Sequence, residues 1–144
     1  LNSAIAVLEL ALILMGIGLG DEVITRAYTY TASSSLIIYL GFIPVLVEVS
    51  PDSFLLDYEA VGRAINRKAK AITSLSLGEF MYDYDRPYQV LKEKKALYTP
   101  NSTVQTAFDR VMILSGSVHA IVVTYKGKKA GGVVNFTAFS FVVL

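Results

Sequence analysis

Residues 20–49 read GDEVITRAYTYTASSSLIIYLGFIPVLVEV, and their reading decides the fold. DEVIT (21–25) is a short apolar strand. Thr31 or Ser33 opens a helix through SSSLIIYLG, and Gly41 stops it. PVLVEV (44–49) is a second strand. A strand, a helix and a strand at this spacing form a crossover unit that pairs its strands in parallel.

The pattern continues on both sides. Upstream, Asn2 and Ser3 cap a helix whose apolar residues surround it almost completely, ending in GIGLGDE. Downstream, Asp57 caps the helix YEAVGRAIN (58–66), and KAKAITSLS (68–76) is a third strand. Residues 83–97 form a charged helix opened by Asp83 or Asp85, TPNSTVQ (99–105) is a loop, and RVMILSG (110–116) is a fourth strand. IVVTYKG (121–127) and VNFTAFSFVVL (134–144) are two further strands joined by a KGKK turn. The strands are continuous apolar runs, as expected where helices cover both faces of a sheet. The fold class is therefore α/β, three-layered α/β/α with a mostly parallel sheet. Ligands in such sheets gather at the carboxyl ends of the strands, which directs attention to residues 25–31, 74–78 and 115–119.

Composition narrows the function classes. The formal net charge of +1 gives no electrostatic reason to expect nucleic acid. There is no cysteine and a single histidine, His119, which excludes disulfides and Cys- or His-cluster metal sites. Residues 4–19, AIAVLELALILMGIGL, are short for a span, carry Glu9 and lack the basic flank of a signal peptide. A buried helix, no membrane segment and a cytoplasmic protein are expected. Hydrophobic residues make up 53% of the chain, an excess that calls for cover by further chain or a partner subunit.

Single motifs weigh little. Gly16, Gly18 and Gly20 follow a helix and open a strand, the reverse of a dinucleotide loop. Asp83 and Asp85 read as a cap and a dipole partner before an acid–base pair. Lys126, Lys128 and Lys129 read as a solvated turn. Nothing around any serine forms a nucleophile elbow to partner His119, which reads as a packed, hydrogen-bonded side chain.

Order and spacing say more. NSAIAVLELALILMGIGLGDEVIT, AYTYTASSS, GFIPVLVEVSPDSFLLD, YKGKKAGG and NFTAFSF follow one another along the chain. In this succession the chain resembles the DegT/StrS-like aminotransferases, fold-type-I pyridoxal-phosphate enzymes acting on keto groups of nucleotide sugars. The resemblance implies pyridoxal 5'-phosphate as cofactor, a nucleotide-sugar substrate, glutamate or glutamine as amino donor, and a homodimer with its site at the interface. It covers the front part of the family's large domain, so residues 1–144 are expected to be a partial domain.

The resemblance also assigns positions. Ala6 matches the alanine of a Thr-Ala pair at the phosphate, with Ile5 in the threonine place. Tyr30 matches the aromatic residue that stacks on the cofactor ring. Gly116 stands where the family has the aspartate facing the ring nitrogen, His119 matches the family histidine, and Ser140 matches a serine supporting the phosphate. Val142 replaces a histidine, and the Schiff-base lysine would follow Leu144, so these residues alone are expected to be inactive. Ile5, Gly116 and Val142 also admit a non-catalytic homologue serving as a binding module. A generic nucleotide-binding α/β domain is a third reading, against which the misplaced glycine string argues.

Overall fold

Apolar residues alternate between the two faces of one sheet, and this divides the core in two. In the computed structural model, residues 1–51, 55–76, 83, 85–118 and 124–140 are described. Strands β1 (Glu22–Arg26), β2 (Ile43–Val47), β3 (Ala69–Ser76), β4 (Met112–Val118) and β7 (Phe136–Ser140) form a five-stranded sheet in the order β2-β1-β3-β4-β7. Every pairing in it is parallel. Val23, Ala71, Met112, Leu114 and Ala138 face helices α1 (Ala4–Leu14) and α2 (Thr31–Tyr39). Their neighbours Ile24, Ile72 and Ile113 face α3 (Tyr58–Ala64) and α4 (Asp85–Glu93). A period of two with apolar residues on both faces yields the unbroken runs seen in the sequence.

Local chemistry sets the helix ends. Ser3 Oγ accepts the Ala6 amide at 3.2 Å to cap α1. Asp57 caps α3 through the amides of Glu59 and Ala60 at 2.8 and 3.2 Å. Gly16 (φ +66°) and Gly41 (φ +81°) follow the last turns of α1 and α2 in the left-handed conformation that closes a helix. A Cβ at Gly16 would lie 2.3 Å from Ser102 Oγ, so the glycine string serves a turn and a close contact.

Four elements depart from the sequence-based boundaries, one of them KGKK, expected as a turn joining the last two strands: its Lys128–Lys129 instead pair antiparallel with Thr124–Tyr125, while β7 pairs with β4. Helix α2 starts at Thr31 with Tyr30 in the capping position, where no side chain makes a capping hydrogen bond. The charged helix breaks after Glu93 into a 3-10 turn over Lys95–Leu97. TPNSTVQ contains the start of α5 (Thr103–Phe108), for which Ser102 Oγ caps the Gln105 amide at 3.2 Å. Helix propensity is low here, and tertiary contact overrides it: Gln105 is buried and its Nε2 donates to Gly16 O at 2.7 Å. Asp83 Oδ1 accepts the Asp85 amide at 3.1 Å, and Asp85 pairs with Lys126. That is the capping role expected of Asp83, with Asp85 tying down the hairpin of β5 (Thr124–Tyr125) and β6 (Lys128–Lys129). Of the last two expected strands, residues 121–123 and 141–144 lie outside the described residues.

A polar cluster fills the amino edge of the sheet. Asp21 accepts Asn101 Nδ2 at 2.9 and 2.8 Å and the Gly18 amide at 2.9 Å. Lys70 Nζ donates to Arg67 O at 2.7 Å and Thr99 O at 2.5 Å, 4.0 Å from Asp21 Oδ1 and over the Tyr98 ring. The Tyr98 hydroxyl is pushed up to about 12 by burial and then by Asp109 and Asp21. Its folded value exceeds the unfolded one, so its contribution is complete below pH 10 and vanishes as pH rises toward 12. Tyr98→Phe is expected to flatten the alkaline loss of stability in that window by on the order of 1–2 kcal/mol, read from urea midpoints.

Candidate functional site

Because all sheet pairings are parallel, the carboxyl ends of the five strands share one edge. At that edge α1 begins beside the end of β7, and between them opens a cavity of about 510 Å³. Ser3, Ala4 and Val7 wall it on the helix side, and Thr137, Phe139 and Ser140 on the strand side. Strand β7 is held in place at its other end by Asn135, whose Oδ1 accepts the Ile113 amide of β4 at 2.9 Å.

The helix end is electropositive. The first turn of α1 carries no acidic residue. The Ala6 amide is taken by Ser3 Oγ and the Val7 amide by Ser3 O at 3.2 Å, which leaves the amides of Ala4 and Ile5 as first-turn donors. Thr137 Oγ1 is buried with no hydrogen-bond partner among the described residues. Amides at a helix start, the Ser140 hydroxyl and the positive end of the helix dipole suit a phosphate-sized anion.

The structure brings some expected positions together and separates others. Ser140 lines the cavity. Ala6 stands one step behind the wall with its amide already bonded, and Ile5 is exposed, with no hydroxyl to offer. Tyr30 is 77% exposed at the start of α2, so its ring face is open. Gly116 is buried within β4, in register with Leu75 on one side and Ala138 on the other, and lines a second, much smaller cavity. His119 and Val142 lie outside the described residues. Sequence reading missed Ser3 and Thr137 as wall residues. Their signal was available: a serine just before an apolar helix, and a hydroxyl interrupting the apolar run NFTAFSF. Among the described residues, no helix is long and apolar enough to cross a membrane.

Comparisons with known proteins agree on this architecture. Residues 1–97 match the DegT/DnrJ/EryC1/StrS aminotransferase family. GDP-perosamine synthase of Caulobacter vibrioides is 34% identical over 140 residues, 97% of this chain and 34% of that protein. The 3-amino-5-hydroxybenzoate synthase of Amycolatopsis mediterranei is 32% identical over 134 residues, 93% of this chain and 31% of that protein. A protein of Streptococcus pneumoniae assigned as a sugar aminotransferase, solved in its PLP form, superposes with a TM-score of 0.94 at 45% identity. The match covers 98% of this chain and 36% of that one. The same protein has been solved in a PMP form, with the same score. The chain thus spans about a third of the length of the relatives it matches. The α/β fold expected from the sequence is the fold of these aminotransferases. On the family match and the shared architecture together, the chain belongs to the DegT/DnrJ/EryC1/StrS aminotransferase family.

Proposed function

We propose that these residues form the cofactor-phosphate half of a pyridoxal-phosphate-dependent aminotransferase acting on nucleotide-linked keto sugars, with glutamate or glutamine as amino donor. One observation carries the reading: the cavity at the carboxyl edge where the start of α1 meets Thr137 and Ser140. The residues present fit a phosphate there. The Ala4 and Ile5 amides and the Ser140 hydroxyl would hold it, and Tyr30 would cover the ring. His119 is kept as a further contact by family resemblance. When bound, the cofactor supplies the carbonyl that exchanges amines and the electron sink for proton transfer. The protein's part in this half of the site is to hold the phosphate and fix the ring's orientation.

Titration with pyridoxamine 5'-phosphate tests the reading, because that form needs no lysine for binding. The expected result is saturable binding that inorganic phosphate displaces. The Ser140→Ala variant should weaken it at least about tenfold, the scale for a hydrogen bond to a charged group. An unchanged affinity in that variant would sink the phosphate assignment.

The full reaction belongs to a longer polypeptide, in which this partial large domain is completed and works in the cytoplasm. A second reading, a non-catalytic homologue acting as a binding module, is favoured by the apolar Ile5 and the missing carboxylate at Gly116. Turnover of an amino donor by the intact protein separates the two.

A homodimer is part of the proposal. Leu10, Ile13 and Leu14 of α1 and Ile38 and Tyr39 of α2 are exposed on helices whose only ionisable side chains are Glu9 and Tyr39. An apolar face of this kind favours association with a second copy. Light scattering should report a dimer in the micromolar range, and Leu10→Glu/Leu14→Glu should shift it to monomer. A wild-type monomer at high concentration would remove this part of the proposal.

A further inference from the structure

Helix α2 begins without a side-chain cap, although Tyr30, in its capping position, is the residue that the cofactor reading sets over the ring. Ser33, in the first turn, is buried, and its amide is spent on Tyr30 O at 2.9 Å. Ser33 and Thr73, the latter on the central strand β3, both line a small cavity of about 10 Å³, room for about one water molecule. Leu8 and Leu12 of α1, Leu36 of α2 and Leu114 of β4 supply its apolar walls. Thr73 shares its sheet face with Ala71, toward α1 and α2, whereas Ser74 follows Ile72 onto the opposite face. Thr73 Oγ1 is buried and has no hydrogen-bond partner among the described residues. Buried hydroxyls are satisfied by protein groups or by ordered water.

We propose that this cavity holds one ordered water, which accepts a hydrogen bond from Thr73 Oγ1 and donates one to Ser33 Oγ. The volume excludes a larger guest, and the leucine walls exclude an ion. A cap fixes a helix start from outside, through the helix's own amides. This bridge fixes the start of α2 from beneath, by tying its first turn to the central strand. Because the Tyr30 carbonyl accepts the Ser33 amide, the bridge holds the backbone of Tyr30 as well. Resting on the cofactor reading above, Thr73 is a positioning residue. It touches no cofactor atom and acts on the ring through the water, Ser33 and Tyr30.

A high-resolution crystal structure of the protein tests the water. Density for one water within hydrogen-bond distance of both Thr73 Oγ1 and Ser33 Oγ is expected. A dry cavity, or a water bonded to only one of them, overturns the inference. Titration with pyridoxamine 5'-phosphate tests the positioning, on variants that circular dichroism shows to be folded. Thr73→Val should weaken binding roughly three- to tenfold, the scale of one neutral hydrogen bond, and Thr73→Ser should restore it. The affinity for inorganic phosphate alone should stay at the wild-type value, since the phosphate site is untouched. Ser33→Ala should give the same loss as Thr73→Val, and the double variant no further one, because either change alone removes the bridge. Losses that multiply in the double variant, or a Thr73→Val affinity equal to wild type, overturn the positioning role and leave the phosphate site standing. Absence of any pyridoxamine phosphate binding overturns the cofactor reading and the positioning role with it, while the water stands or falls on the density.

Discussion

Asp21→Ala is expected to lose about 3–5 kcal/mol of stability, the scale for breaking a buried ion pair by removing one partner. The side chains of Lys70 and Asp21 are 3% and 9% exposed, so the ammonium left behind has little water to turn to. Asn101 Nδ2 and the Gly18 amide lose their acceptor at the same time. Against a typical total of about 5–15 kcal/mol, such a loss removes much of the folded population under mild denaturant. The urea midpoint measures it, and Asp21→Ala/Lys70→Met should recover part of the loss by removing the stranded charge. The pH dependence gives a second check. Burial lowers the Lys70 ammonium below its ordinary value while Asp21 raises it, so removing Asp21 lowers it further. The folded state then binds fewer protons than the unfolded chain, and stability rises with pH up to about 10.5, the unfolded value. The Asp21→Ala midpoint should therefore climb between pH 7 and 10, more steeply than that of wild type. A midpoint within about 0.5 kcal/mol of wild type at pH 7 would show the cluster to be solvated surface.

The second large effect is all-or-none. Mixed with pyridoxal phosphate and borohydride, a polypeptide of residues 1–144 should carry no stable label at one defined lysine. All eight of its lysines lie among the described residues, and none lines the cavity between α1 and β7. Lys68 and Lys70 sit at the amino end of β3, the opposite edge of the sheet. Lys92, Lys94 and Lys95 lie on or just after α4, which packs on the other face. Lys126, Lys128 and Lys129 belong to the β5–β6 hairpin. A polypeptide extended through the lysine expected after Leu144 and the rest of the domain, with Ile5→Thr and Gly116→Asp, should be labelled there and nowhere else. Peptide mapping by mass spectrometry decides it. Stoichiometric labelling of one lysine within 1–144 would move the reactive centre away from the proposed place.

How much was legible follows from what kind of signal each part carries. The sheet was legible because strands buried on both faces leave long apolar runs between helix caps, as at DEVIT and PVLVEV. The caps at Ser3 and Asp57 are local and were read directly. Helix α5 was not, since its buried Gln105 draws support from Gly16, far away in sequence. The cavity's strand wall was half legible. Ser140 came from family spacing, whereas Thr137 matters only because β7 pairs with β4 and packs beside α1. Pairing register and packing are long-range facts, and single-strand patterns do not contain them.

The meeting of the first helix with the last sheet strand has a consequence for how the protein is made. Helix α1, apolar on nearly every side, is made before all the sheet strands it packs on, and its gap to β7, which lies beside its start and is made well after the other four, is the longest. At roughly 5–20 residues per second, the ribosome needs on the order of ten seconds to close that gap. Until β7 is made, the nascent chain displays a helix with Glu9 as its single charge and a sheet still short of its edge strand. Apolar surface exposed in this way is aggregation-prone, so the folded yield should fall as the concentration of the newly made chain rises.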